Sequence, residues 1–162
     1  MCGIVGYVGK ENAASILIEG LSKLEYRGYD SAGIAVLDNS RDKKEIEIIK
    51  AKGRLQALRE MTDNGKAVKG YCGIGHTRWA THGEPSVINA HPHVSKDKKI
   101  AVVHNGIIEN YKEIKEYLQK KGYEFVSQTD TEVIAHLLDY YYKGNCLEAI
   151  TKVLGRVRGS YA

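Results

Sequence analysis

The sequence predicts an α+β domain built on largely antiparallel sheets. Three observations carry that expectation. Short β-branched segments gather near residues 3–8, 32–37, 45–49, 71–77 and 100–104. Amphipathic stripes at helical spacing follow near residues 107–118 and 129–141. Strands and helices come in mixed groups, without the strict alternation of a doubly wound fold. At 162 residues the chain is long enough for one domain with its own core.

The elements follow in order. Gly3 to Val8 reads as a short buried strand. From Asn12 to Leu24, the residues Ile16, Leu17, Leu21 and Leu24 share one helical face. Ala32 to Leu37 is strand-like, and Glu45 to Ile49 alternates charge with isoleucine, as a strand with one wet face does. Leu55, Leu58 and Met61 mark a short helix; Tyr71 to Thr77 and Ile100 to His104 read as core strands. Asn110 followed by Glu113 predicts a helix start, with Ile107, Tyr111, Ile114 and Leu118 as its stripe. Thr129 followed by Glu132 has the capping-box spacing, which places Asp130 in a helical first turn, and a last helix spans Leu147 to Leu154. Both prolines, Pro85 and Pro92, fall between Thr81 and Val94, a stretch that reads as a long ordered loop of the kind that carries function.

Composition narrows the class. A hydrophobic share of 43% and a charged share of 27% are those of a globular protein, and the net charge of +4 is spread along the chain. No basic stripe interleaved with aromatics points to nucleic acid. No apolar run approaches the ~20 residues of a membrane span, and no basic-then-apolar leader opens the chain. Cys2, Cys72 and Cys146 are too few and scattered for a disulfide framework, so free thiols and a cytoplasmic setting are expected.

Three stretches carry chemistry. Cys2 directly follows the initiator methionine. If Met1 is removed, one residue bears both a thiol and an α-amine of pKa about 7.7–8.0, a nucleophile beside its own base. By position alone the thiol reads as incidental. HTRWATHG, from His76 to Gly83, leaves a strand end; Arg78 suits a carboxylate and Trp79 could cover a pocket, although a loop that merely packs its tryptophan has the same look. Asn105-Gly106 after His104 offers a side-chain amide and a backbone N–H of oxyanion-hole type, or a plain hairpin turn. The histidines His76, His82, His91 and His93 leave zinc open, but neither a Cys-x-x-Cys nor a His-Glu-x-x-His spacing occurs. His136 reads as structural, and no metal or cofactor is expected.

Together, CGIVG from Cys2, LEYRGYDSAG from Leu24, HTRWATHGEPS from His76, NAHPH from Asn89, VVHNGIIEN from Val102 and TDTEVIAHL from Thr129 resemble the class II glutamine amidotransferases, which are N-terminal-nucleophile hydrolases. Within that class the LEYRGYDSAG and HTRWATHG wordings resemble the glutaminase region of the glutamine–fructose-6-phosphate aminotransferase family. The resemblance implies a four-layer αββα sandwich with two mainly antiparallel sheets, truncated at its C-terminal end, with residues 1–162 forming the glutaminase domain and the isomerase domains absent. It implies Cys2 as nucleophile with its α-amine as base, and Asn105 and Gly106 as oxyanion hole. Arg78 and Asp130 would read the glutamine carboxylate and amine. Trp79, Thr81 and His82 would close over the substrate, and Arg27 would help shape the site. Expected partners are L-glutamine and the isomerase domain of the same full-length protein, with a homo-oligomer allowed. A catalytically silent glutamine-binding or partner module is the competing expectation.

Overall fold

The computed structural model describes residues 2–28, 30–38, 45–79 and 83–162. Its largest sheet joins β1 (Gly3–Val8), β2 (Ser31–Asp38), β3 (Glu45–Lys52) and β4 (Cys72–Arg78) in the order β1-β4-β2-β3, every pair antiparallel. One face of this sheet is covered by α1 (Ala13–Ser22) and α2 (Leu55–Met61). Leu17, Leu21, Ile34, Val36, Leu55 and Leu58 pack there as a fully buried cluster. Asn12 caps α1, its Oδ1 accepting from Ser15 N at 2.9 Å.

The period-2 alternation of β4 decides which residues reach the functional side. Gly73 and Gly75 point at α1, where a Cβ on Gly75 would stand 3.0 Å from Leu21 Cδ1, so glycine lets the helix lie close. Ile74, His76 and Arg78 therefore face the opposite way. That side meets two short antiparallel ladders, β5 (His93–Val94) with β6 (Ala101–Val102), and β7 (Gly106–Ile108) with β8 (Gly159–Tyr161). Beyond the ladders lie α3 (Tyr111–Gln119), α4 (Glu132–Tyr141) and α5 (Cys146–Leu154), whose second core gathers Ile108, Ile114, Leu118, Val133, Leu137 and Val153. The layers thus run helix, sheet, strands, helix. Among the described residues no helix is long and apolar enough to cross a membrane.

Four local expectations are corrected. Of residues 100–104 only Ala101 and Val102 pair, because the chain then turns inward to seat His104 and Asn105 under the main sheet. Ile107 belongs to β7 and is exposed; α3 begins only at Tyr111. Asn110 stands at the α3 N-cap position but does not cap it. Its amide instead donates to Arg156 O at 3.0 Å and accepts from Arg158 N at 2.8 Å, tying α3 to the strand beyond. The Thr129–Glu132 pair is not a capping box either. The N-cap of α4 is Thr131, and Asp130 precedes the helix. The Glu132 carboxylate is taken by Val126 N, Ser127 N and Ser127 Oγ at 2.9, 2.8 and 2.6 Å.

Candidate functional site

Where β1 begins and β4 ends, six of the nine residues singled out in the sequence come together. A cavity of about 460 Å³ is lined by Cys2, Arg78, Trp79, Asn105, Gly106 and Asp130, with His76, His91, His104 and Thr129 forming its floor and walls. Arg27 lies in a 3₁₀ turn, Glu25–Arg27. Its side chain, together with Thr81 and His82, lies outside the described residues.

Cys2 stands at the head of β1, and its position is set by the register Gly3↔Thr77 with β4. The Sγ accepts from Trp79 N at 3.2 Å, so the thiol is held against the strand end that carries Arg78. Asn105 closes the other side, its Nδ2 donating to the Cys2 carbonyl at 3.2 Å. An amide nitrogen has two hydrogens, and the second remains to meet an oxygen at the thiol.

Gly106 follows in the left-handed region at φ +137°, and a Cβ there would fall 1.9 Å from Ser160 O. The close β7–β8 approach and the backbone conformation both demand glycine. Asn105 exchanges both backbone bonds with Ala162, at 2.9 and 2.8 Å, and Glu109 N bonds Arg158 O at 2.8 Å. By ladder alternation the N–H groups of Gly106 and Ile108 then point to the opposite edge, toward the cavity side. Ile108 N meets Asp130 Oδ2 there at 2.7 Å, which fixes the carboxylate at the cavity wall.

Arg78 is buried at the end of β4. Its Nη2 donates to Gly83 O at 3.2 Å and its Nη1 to Glu84 O at 3.4 Å. The loop bearing those carbonyls is anchored in turn. Asn89 Nδ2 donates to Glu84 O and to Gln128 Oε1, and Lys50 Nζ reaches the carbonyls of Ala90, Ile88 and Pro92 at 2.8, 3.3 and 3.4 Å. Burial pushes the Lys50 ammonium below its usual pKa, and the charge of Glu132 pulls the other way. A thiol, two convergent N–H donors, a guanidinium and a carboxylate in one cavity form a set suited to acyl transfer from a zwitterionic amino acid.

Under the cavity lies a stack that motif reading left unconnected. His76 and His91 are parallel at 4.2 Å between ring centres, and His91 meets His93 edge-on at 4.7 Å. Burial holds all three imidazoles below the ordinary histidine range, His76 at about 4 and His93 at about 3. The zinc alternative meets rings already engaged with one another and with Asn105, His104 N and Thr129; among the described residues no three His, Cys, Asp or Glu side chains group as metal ligands would. His136 is buried on α4, its Nε2 at 3.6 Å from Glu132 Oε1. The alternating residues of β4 were the signal that could have found His76: it shares a face with Arg78.

A family model described as a glutamine amidotransferase domain matches residues 32–161. The chain belongs to the glutamine amidotransferase domain family. Over its whole length it is 60% identical to the glutamine–fructose-6-phosphate aminotransferase (isomerizing) of Clostridium acetobutylicum, 61% to that of Caldanaerobacter subterraneus and 56% to that of Thermus thermophilus. It spans about a quarter of the length of these relatives, 26% in each. Among solved structures, the glutamine phosphoribosylpyrophosphate amidotransferase of B. subtilis, complexed with ADP and GMP, superposes on the amidotransferase domain with a TM-score of 0.82 at 30% identity. It covers all of this chain and 34% of its own. The mixed helices and antiparallel sheets are thus the N-terminal-nucleophile amidotransferase fold, as the motif resemblance implied.

Proposed function

We propose that this domain hydrolyses the side-chain amide of free L-glutamine to glutamate and ammonia, with Cys2 as nucleophile. The observation that carries the reading is the shared cavity of Cys2, Asn105, Gly106, Arg78 and Asp130. Removal of Met1 would leave an α-amine beside the thiol. That amine takes the thiol proton as sulfur attacks the amide carbon. The developing oxyanion rests against the second Asn105 amide hydrogen and the Gly106 N–H. The amine's proton passes to the leaving nitrogen, ammonia departs, and water cleaves the glutamyl thioester, restoring the thiol. Arg78 holds the substrate α-carboxylate and Asp130 its α-ammonium, which favours a free amino acid over a peptide-bound glutamine. Trp79 borders the cavity mouth and, with Thr81 and His82, would close over bound substrate; Arg27 would support the wall.

The aminotransferase relatives support a wider assignment. The domain is the ammonia-supplying part of glucosamine-6-phosphate synthesis from fructose 6-phosphate, with isomerase domains as partners in the longer protein. It acts in the cytoplasm without a cofactor. The test is ammonia release from glutamine by protein whose N-terminus has been defined by mass spectrometry. Wild type should release ammonia and Cys2→Ala should not. A Cys2→Ala protein with full activity overturns the mechanism. Glutamine binding without release would favour the silent binding module.

A further inference from the structure

We propose that His76 is a positioning residue for the oxyanion hole, fixing the Asn105 amide so that its N–H₂ side faces the Cys2 thiol. This rests on the glutamine-hydrolysis reading above. The geometry leaves one arrangement of atoms. A carbonyl only accepts, so the Asn105 atom 3.2 Å from the Cys2 carbonyl is the nitrogen, and Oδ1 is the atom 2.8 Å from His76 Nε2. An amide oxygen cannot donate, so His76 Nε2 carries the proton. If the amide flipped, its oxygen would face both the Cys2 carbonyl and the forming oxyanion, and its NH₂ would face the Nε2–H. The Cys2 carbonyl disfavours that flip on one side and the His76 N–H disfavours it on the other.

His76 can do this because its own ring is held. It is buried and stacks on His91, whose Nδ1 accepts from the backbone N–H of His104, the residue before Asn105, at 3.3 Å. The two rings thus grip the Asn105 segment by its side chain and by its preceding peptide. The stack continues through His93 to Thr129 Oγ1 at 3.0 Å, next to Asp130. Hydroxyl directions follow along the same line. Ser127 Oγ donates to the Glu132 carboxylate at 2.6 Å, so Thr129 Oγ1 donates to Ser127 at 3.0 Å and accepts from His93 Nε2–H. One neutral stack therefore links the strand of Arg78, the turn of Asn105 and the segment of Asp130. The charged and titratable groups facing it are Arg78 from β4, Lys50 from β3, Glu132 from α4 and His104.

The experiment compares the full chain with His76→Phe, which keeps a stacking ring without a donor, and His76→Gln, which restores an N–H. In His76→Phe, kcat for glutamine hydrolysis is expected to fall about 100-fold while KM stays within about threefold, as for loss of an interaction made only in the transition state. Alkylation of Cys2 by iodoacetamide, a displacement that forms no oxyanion, should keep its rate. His76→Gln should recover at least about tenfold of the lost kcat. An unchanged kcat in His76→Phe overturns the proposal, and so does a parallel collapse of KM and alkylation, which marks a purely structural role. A wild type that releases no ammonia overturns the underlying hydrolysis reading instead. Where a variant does not fold, ¹⁵N–¹H correlation on the wild-type imidazoles at neutral pH decides: the Nε2–H tautomer of His76 is required, and the Nδ1–H tautomer refutes it.

Discussion

Lowering the pH from 7 to 5 should destabilise this domain far more than its surface charge would suggest. His76, His91 and His93 are buried in the native state, where burial and the neighbouring cations Arg78 and Lys50 keep them neutral; Glu132 and hydrogen bonding oppose this only in part. In the unfolded chain each returns to a pKa near 6.5. The folded values lie below the unfolded one, so the stability is fully present above about pH 6.5 and is lost as pH falls toward the folded values, about 4 for His76 and about 3 for His93. Across pH 7 to 5 the unfolded state binds close to one extra proton per histidine. Integrating the linkage relation gives about 2 kcal/mol each, or about 6 kcal/mol for three. The figure requires only that the folded values lie below this window. Set against a total stability of about 5–15 kcal/mol for a domain, it means large loss of structure near pH 5. Glu132, held at about 2 by His136, Ser127 and backbone N–H groups against the upward push of burial, adds its own loss mainly below pH 5. The assay is urea unfolding followed by circular dichroism at half-unit pH steps. The unfolding free energy should fall steeply below pH 6.5, and His93→Gln should flatten the fall by about a third. Equal free energies at pH 7 and pH 5 would refute the claim that the stack is buried and neutral.

Other perturbations test the walls of the cavity. Arg78→Ala should raise the KM for glutamine about 30- to 100-fold with a smaller effect on kcat, the loss of about 2–3 kcal/mol of charge-assisted bonding, read by steady-state kinetics; an unchanged KM places the carboxylate elsewhere. Gly106→Ala should cost about 3 kcal/mol in unfolding free energy, because a Cβ would overlap Ser160 O at a φ of +137°. Wild-type stability in that variant would mean β7 and β8 do not pair as described. Lys50→Met removes the ammonium that meets three carbonyls of residues 88–92, and should cost about 1–3 kcal/mol and speed proteolysis within that loop. Protection equal to wild type would show that the Lys50 bonds do not anchor the loop.

The parts of the molecule legible in the sequence are those specified by local pattern. The strand runs of β2 and β3 sit where periodicity placed them, and Leu17, Leu21 and Leu137 are buried as the stripes of α1 and α4 require. β1, expected to be buried, is an edge strand with Val8 exposed, Leu24 lies beyond α1, and Ile134 and Leu138 are only partly buried. Legibility failed where a polar side chain had two uses. Asn110 and Glu132 carry capping signatures, yet each spends its oxygens on distant or inward backbone, a choice made by tertiary packing. Ile107 sits at the right spacing for α3 but pairs with Ser160, more than fifty residues away in the chain. At the site, Cys2, Arg78, Asn105 and Asp130 could be named singly from motifs. Their convergence came only from the family resemblance, since no local pattern specifies the antiparallel register of β1 with β4 or the inward turn after β6.

The histidine stack explains why that convergence is held by polar rings where aliphatic side chains would pack as well. The site must orient an amide, and apolar groups have no directional hold on one. A charged donor would do so, but a fixed cation beneath Asn105 would add to Arg78 and stabilise the thiolate and substrate carboxylate before any reaction, which raises the ground state's hold as much as the transition state's. A neutral imidazole supplies the single N–H that the amide oxygen needs, with no net charge. Burial keeps it neutral at working pH, and stacking on His91 keeps its plane aligned. The acid sensitivity of the fold and the orientation of the Asn105 amide are therefore one property: the low dielectric that makes protonation of His76 costly is what leaves Nε2 as a donor without a charge. A substitution that let water reach the stack would be expected to relax both together, raising the stability at pH 5 relative to pH 7 while lowering kcat.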